Sequence, residues 1–404
     1  MKIILVIGAR PNFMKIAPIL EALQRHNESG ELPGIEAMLV HTGQHYDRVM
    51  SQLFFEDLGM PRPDINLGVG SGTHAQQTGR VMIAFEQVLQ QEQPDIVVVV
   101  GDINSTMACT IAAKKLDIAV AHVEAGLRSR DMTMPEEINR KVTDSISDYL
   151  FTSEPEANAN LKAEGIFENR IFFVGNVMID TLLKHRERAA ASPILDKLGL
   201  KEGQRTNPYG VVTLHRPSNV DNPEVFREVC DALHAISDRL PLIFPCHPRT
   251  QERILDFGIG SFLEGSDSKA TGIMLIPPLG YLDFLWLNAN ARVILTDSGG
   301  VQEEATILGI PCLTIRENTE RPITVTQGTN QVVGTSKKMI LRGFDSAIQN
   351  LKRQSGGPDK WDGRAAERIV EILAQMGKTE YAPLRAKIST PVVSGNTVHC
   401  PVTK

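Results

Sequence analysis

Cations, carboxylates and histidines recur at one kind of place in this sequence, directly after short apolar, β-branched runs. Gly8 and Arg10 follow Ile3–Ile7, with Lys15 just beyond; Thr42, Gln44 and His45 follow Ala37–His41. Gly101 and Asp102 follow Ile96–Val100, and Glu124, Gly126 and Arg128 follow Ile118–Val123. A second series gives His215 and Arg216, His247 and Pro248, Pro278, the run Ser298-Gly299-Gly300, and finally Arg316 and Arg321. Carboxylates move protons, and cations or helix N-termini stabilise departing anions. Arg10 and Lys15 fall at or near a helix N-terminus, where an unpaired cation costs roughly 0.3–1 kcal/mol, so an anion placed over that end would explain them. Plain surface charges would be the simpler account. Ser298-Gly299-Gly300 has the form of a phosphate seat, two glycines allowing close backbone approach to a helix N-terminus. The same letters also suit an ordinary cap at Asp297 or Ser298 with Gly309 closing the helix. Asp102 could cap a helix starting near Ser105, and His215 and His247 could be loop histidines. Glu124 is harder to explain without chemistry, because a carboxylate ending an apolar strand must be paired or used. Joint occurrence at strand ends favours function.

The runs alternate with helix-length segments, from Ile3–Ile7 to Ile171–Val174 and again from Gly210–Leu214 through Leu242–Pro245, Ile273–Ile276 and Arg292–Thr296 to Pro311–Ile315. Continuous apolar strands with helical crossovers predict an α/β fold with parallel sheets covered on both faces. Ligands of such sheets bind outside the carboxyl ends of the strands. Two such edges facing each other make a polar cleft. At 404 residues the chain suits two domains. The charged stretch Lys184–Pro208 marks the junction, giving domains over 1–183 and 184–362. "DGRAAERIVEILAQM" predicts a helix over Asp362–Met376 with Asp362 as N-cap, and residues 377–404 form an extension that is expected to be mobile from Ser389. Hydrophobic content of 42% and charged content of 22% are those of a soluble globular chain. The net charge of −6 argues against nucleic acid as a partner. No secretory signal and no membrane span are expected. The scattered Cys109, Cys230, Cys246, Cys312 and Cys400 predict reduced thiols in the cytoplasm, with neither disulfide framework nor zinc. No metal motif occurs, and no GxGxxG follows Ile7, so no nicotinamide is expected.

Taken together, "GARPNFMKIAP", "HTGQHYD", "VVVGDINST", "HVEAGLRS", "PEEINR", "VGNVMIDTL", "TLHRPSN", "DSGGVQEEA", "GIPCLTIRENTERP" and "GTNQVVG" resemble the non-hydrolysing UDP-N-acetylglucosamine 2-epimerases over nearly the whole chain. The resemblance implies a GT-B architecture: two Rossmann-like domains around a nucleotide-sugar cleft, with a C-terminal helix near 363–376 crossing back to the first. It implies anti elimination of UDP from UDP-N-acetylglucosamine to a 2-acetamidoglucal and re-addition giving UDP-N-acetylmannosamine, a precursor of cell-surface polysaccharides. It carries Asp102, Glu124 and Glu136 over as acid/base carboxylates, Arg10 and Lys15 as phosphate and catalytic cations, and His215 as an aid to the departing diphosphate. Ser298, Gly299 and Gly300 match the phosphate loop, Glu304 the ribose-binding glutamate, Phe284 a uracil-site aromatic and Arg321 a further cleft cation. No cofactor or metal is implied, and a homodimer is. A UDP-diacetamido or uronic-acid sugar, the hydrolysing reaction and a GT-B glycosyltransferase are the alternatives. The chain departs from many relatives at Ala9 and Asn12, where they have Thr and Glu, and at Gly280, often acidic. Substrate-activated bacterial members carry Gln-His-Arg-Gln where Gln44-His45-Tyr46-Asp47 stands, and a basic segment where Gly68–Thr73 lies, so no such regulatory site is expected.

Overall fold

A computed structural model describes residues 1–30, 33–44, 55–246, 248–259, 272–349 and 357–378. His45, Tyr46, Asp47, His247 and the tail from Ser389 lie outside the described residues.

Seven parallel strands form the first sheet: β1 (Lys2–Ile7), β2 (Glu36–His41), β3 (Ile65–Asn66), β4 (Ile96–Val100), β5 (Ala119–Val123), β6 (Tyr149–Thr152) and β7 (Ile171–Phe173), in the order β3-β2-β1-β4-β5-β6-β7. After a small antiparallel hairpin of β8 (Lys201–Glu202) and β9 (Arg205–Thr206) comes the second sheet. It contains β10 (Gly210–Thr213), β11 (Leu242–Pro245), β12 (Ile273–Ile276), β13 (Val293–Thr296), β14 (Cys312–Thr314) and β15 (Asn330–Val332), in the order β12-β11-β10-β13-β14-β15 and again all parallel. Both sheets start at an inner strand, grow to one side and then return to grow on the other. A crevice therefore opens at β1/β4 and at β10/β13, where the direction of winding reverses.

Central strands are apolar throughout because both faces are covered: every residue of β4 is buried, as are all but the first of β1. β3 and β15 escape sequence reading because they are two- and three-residue edge strands, β15 reading Asn-Gln-Val. β6, Tyr-Leu-Phe-Thr, is interior and escapes as well, although strands as short are legible elsewhere. Among the described residues no helix is long and apolar enough to cross a membrane.

The last described helix, Ala365–Lys378, packs against the first domain. Ala365, Ala366, Ile369 and Leu373 share one buried cluster with Phe13, Ile16 and Leu23 of the helix Arg10–Glu28. Trp361 donates its indole N–H to the Ser153 carbonyl at 2.9 Å. The cap differs from expectation. Asp180, on the helix Val177–Ala189, accepts the N–H groups of Ala365 at 3.2 Å and Ala366 at 2.7 Å, whereas Asp362 takes the Arg364 N–H and pairs with Arg368. A carboxylate from another helix thus replaces the local one, which no local sequence pattern encodes. Asp180→Ala is expected to cost about 1–2 kcal/mol in urea denaturation, as for loss of a strong cap. Asp362→Ala, which removes an exposed pair, should cost no more than about 1 kcal/mol.

Candidate active site

β4 and β5 are neighbours with Val100 opposite Val123, so the residues that follow them, Gly101-Asp102 and Glu124, arrive side by side. Glu124 leaves β5 with φ 71°, a left-handed conformation uncommon for a side-chain-bearing residue. Its own N–H and that of Ala125 both reach the Phe151 carbonyl at 3.0 Å, which holds this turn in place. The carboxylate is buried and divided: Oε2 meets the Lys15 ammonium, and Oε1 accepts from Arg321 Nη2 at 2.7 Å. Lys15 lies over Gly101, where a Cβ would come within 2.8 Å of Nζ. A side chain there would push the lysine tip aside, and the positive φ of 65° favours glycine as well.

Asn12 secures the start of the helix that carries Lys15. Its Oδ1 accepts the N–H groups of Gly8 (3.3 Å) and Ala9 (3.1 Å), while its Nδ2 donates to the Val100 carbonyl at 3.0 Å. An ionised glutamate could accept the first two bonds but not donate the third. Arg10 opens this helix, and its side chain lies outside the described part of the structure.

Asp102 is not a helix cap, since Ile103 holds that position; its carboxylate pairs with Arg140. Burial alone would raise the Asp102 carboxyl, but Arg140, Lys15 and Arg321 together hold it below the usual range. Arg140 also binds Glu137 at 2.6 Å, and Glu137 accepts the N–H groups of Ser129 and Arg130 at 2.9 Å each. Glu136, one residue earlier, is half-buried in the first turn of Pro135–Ile146, and its side chain makes no hydrogen bond or ion pair among the described residues. Behind the strand ends, buried His122 joins Asp144 (2.6 Å) to the Gly101 carbonyl (2.8 Å), and Asp144 also holds Arg128 at 2.7 Å.

In the second half Asp297 is no ordinary cap either. It accepts the backbone N–H groups of His215 and Arg216 at 3.0 and 2.9 Å and bonds His215 Nδ1 at 2.9 Å. Burial opposes its ionisation, yet His215 and those N–H groups hold its carboxyl low. The half-exposed His215 ring is thereby oriented with Nε2 as its other polar atom. Ser298 precedes the helix Gly299–Leu308, which Gly309 closes at φ 69°. A Cβ on Gly299 would lie 2.5 Å from Arg321 Nη1 and 2.9 Å from Glu320 Oε1, so glycine here lets that ion pair press against the helix start. Phe284, on the helix Tyr281–Ala289, is half-buried, and Glu304 is buried.

Arg321 joins the halves. Besides Glu124 it binds Glu303 through Nε (2.6 Å) and Glu320 through Nη1 (2.7 Å). Glu320 in turn meets Arg316 at 2.8 Å and Arg216 at 3.3 Å, and these three guanidinium groups hold its carboxyl far below normal despite burial. Burial pushes Glu303 the other way, with Glu124 adding to it against the pull of Arg321. Sequence reading brought forward Lys15, Asp102, Glu124, His215 and Arg321, and the structure gathers them at facing strand ends. It missed Arg140, Glu303, Glu320 and the role of Asp297. For Arg140 a signal existed, since it stands three residues after Glu137 on one helix face.

A family model described as UDP-N-acetylglucosamine 2-epimerase matches residues 27–374. The chain belongs to this family. It is 44% identical to a Methanocaldococcus jannaschii UDP-N-acetylglucosamine 2-epimerase over 375 residues, covering 92% of this chain and 99% of the relative. It is 42% identical to a Pseudomonas aeruginosa UDP-2,3-diacetamido-2,3-dideoxy-D-glucuronate 2-epimerase over 382 residues, 93% of this chain and 100% of the relative. Among solved structures, the M. jannaschii enzyme in complex with UDP-GlcNAc and UDP superposes with a TM-score of 0.84 at 44% identity, covering 93% of this chain and all of that one. The Neisseria meningitidis enzyme bound to UDP-GlcNAc gives 0.81 at 29% identity over the same shares. The two parallel-sheet domains are those of the GT-B-like fold of these epimerases.

One buried acid in the cleft stands apart from the ion-pair lattice. Glu154, just after β6, is 2% exposed, and its Oε2 has no hydrogen-bond partner among the described residues. Burial pushes its carboxyl up to about 8, against the pull of Arg321 and with the help of Glu303. The unfolded chain loses this proton near the ordinary value and the folded chain only near 8, so stability is full below the lower value and is lost as pH rises through 8. The thermal midpoint is expected to fall more steeply between about pH 6 and 9 in the wild type than in Glu154→Gln, as differential scanning calorimetry would show.

Proposed function

We propose that this chain inverts C2 of UDP-N-acetylglucosamine, giving UDP-N-acetylmannosamine by anti elimination of UDP through a 2-acetamidoglucal and re-addition. The observation that carries the reading is Glu124, a buried carboxylate bound by Lys15 from its own domain and by Arg321 from the facing one. The C2 proton is not adjacent to a carbonyl, so its removal must be coupled to departure of the diphosphate. Asp102, Glu124 and Glu136 supply carboxylates, and protonation from the opposite face requires more than one of them. Arg10, Lys15, His215 and the N-terminus that begins at Ser298-Gly299-Gly300 stabilise the leaving diphosphate. Phe284 and Glu304 serve the uridine. The domains run over 1–183 and 184–362, the helix after 362 returns to the first, and the enzyme works as a homodimer supplying cell-surface polysaccharide synthesis. Among the described residues no group of His, Cys, Asp and Glu is arranged to hold a metal ion.

The test is incubation with UDP-N-acetylglucosamine in D2O without acceptor, read by NMR. Deuterium at C2 in intact UDP-N-acetylmannosamine supports the proposal. Free N-acetylmannosamine with UDP would indicate the hydrolysing reaction, and absence of exchange would exclude this substrate. A second reading has its own support in the 42% identity to the P. aeruginosa diacetamido-glucuronate epimerase. That sugar is the comparison substrate in the same assay.

A further inference from the structure

The helix Tyr281–Ala289 follows β12 of the second sheet, yet its N-terminus is capped from the other side of the cleft. Gly280, the N-cap position, has φ −62° and ψ 165°, extended backbone open to any residue. What requires glycine is space. A Cβ at position 280 would lie 2.8 Å from Asp57 Oδ2, and the next atom it would meet is Asp57 Cγ at 3.9 Å. The same Oδ2 accepts the Tyr281 N–H at 2.9 Å. Asp57 comes from the segment between β2 and β3 of the first sheet, and Arg188 holds its carbonyl at 2.9 Å. Arg188 also contacts His185 at 3.2 Å, and the His185 ring stands edge-on to Tyr281 at 6.1 Å.

The Tyr281 side chain is buried in a core cluster shared with Phe13, Leu58 and Ile369, so this second-domain residue is part of the first domain's core. Burial, helped by the negative charge of Glu304 on the helix Gly299–Leu308, pushes the Tyr281 hydroxyl well up, so the two groups interact electrostatically. Phe284 lies one turn after Tyr281 on the same helix. A hydrogen bond thus ties Asp57 of the first domain to the Tyr281 backbone, and an electrostatic interaction ties the Tyr281 side chain to Glu304 of the second.

We propose that Asp57 and Tyr281 are positioning residues of the nucleotide site, Asp57 fixing the helix Tyr281–Ala289 across the cleft and Tyr281 orienting Glu304 toward the ribose. This rests on the reading of the cleft as a UDP-sugar site with Glu304 at the ribose. Nucleotide affinity in the second domain is therefore set in part by a carboxylate of the first. Position 280 offers a direct way to separate the cap from other roles of Asp57, because an aspartate there is a local cap that collides with the existing one.

The experiment is titration calorimetry of UDP and of 2′,3′-dideoxyuridine diphosphate with the wild type, D57A, G280D, D57A/G280D and Y281F. A lost cap of about 1 kcal/mol corresponds to about fivefold in affinity. UDP is expected to weaken about fivefold in D57A and in G280D and to return to within about twofold of wild type in D57A/G280D, the sign of the position-280 effect reversing with Asp57. Y281F should weaken UDP about fivefold and leave the dideoxy nucleotide within about twofold, because only the former offers Glu304 its hydroxyls. Unchanged UDP affinity in D57A and Y281F, no recovery in the double variant, or equal losses for both nucleotides would overturn the coupling. Failure of the wild type to bind UDP at all would overturn the UDP-site reading and this proposal with it.

Discussion

Replacing Glu124 by glutamine is expected to lower kcat by about 10²–10⁴-fold, the usual contribution of a positioned acid or base, while UDP binds as tightly as before or more tightly. The two halves of this expectation have separate causes. Glutamine keeps the shape of the side chain but cannot carry the C2 proton. It also ends the ion pairs with Lys15 and Arg321, so Lys15 at the proposed diphosphate seat and Arg321 elsewhere in the cleft lose a competing anion. A structural defect would lower affinity and turnover together, and a proton-transfer defect separates them. Loss of C2 deuterium exchange with retained UDP binding supports the role. Turnover within tenfold of wild type would assign the proton to Asp102 or Glu136 instead.

What made Glu124 visible in the sequence was its position, a carboxylate at the end of an apolar run. Most central strands were legible for the same reason, because burial on both faces leaves a continuous apolar signature; β6 is the exception. The partners that tune the site were less visible. Glu303 and Glu320 sit inside helix- and loop-like text, and nothing local distinguishes a glutamate that will face Arg321 from one that will face water. Their roles arise when β13 and β14 are adjacent and the second domain is set against the first. Asp297 shows the limit most clearly: its letter predicts a cap, but its oxygens are spent on His215 and Arg216, more than eighty residues earlier. The family resemblance recovered the order of the motifs. It did not reveal that Asn12 both accepts and donates at the end of β1 and β4, nor that Asp57 occupies the space Gly280 leaves.

Arg321→Met is expected to be the most destabilising single change in the cleft, by about 3–5 kcal/mol, the range for removing one partner of a buried ion pair. Its guanidinium meets Glu124, Glu303 and Glu320, all almost fully buried, and methionine would leave three carboxylates sharing a space with less positive charge. The three do not suffer equally. Glu320 keeps Arg316 and Arg216, and Glu124 keeps Lys15, whereas Glu303 keeps no ion pair among the described residues, only the more distant field of Lys15. Burial already pushes the Glu303 carboxyl upward, toward giving up its charge. Neutralising it by Glu303→Gln should therefore restore part of what Arg321→Met removes. The double variant is expected to be more stable than Arg321→Met alone by about 1–2 kcal/mol in urea denaturation, a coupling typical of residues in one ion-pair network. Additive losses would mean that Arg321 stabilises the fold through packing or through Glu124 and Glu320, and that the charge on Glu303 is not what Arg321 answers. Recovery of stability without recovery of turnover would place the catalytic demand on the Arg321–Glu124 contact across the cleft, separate from the contacts that hold the second domain's own carboxylates.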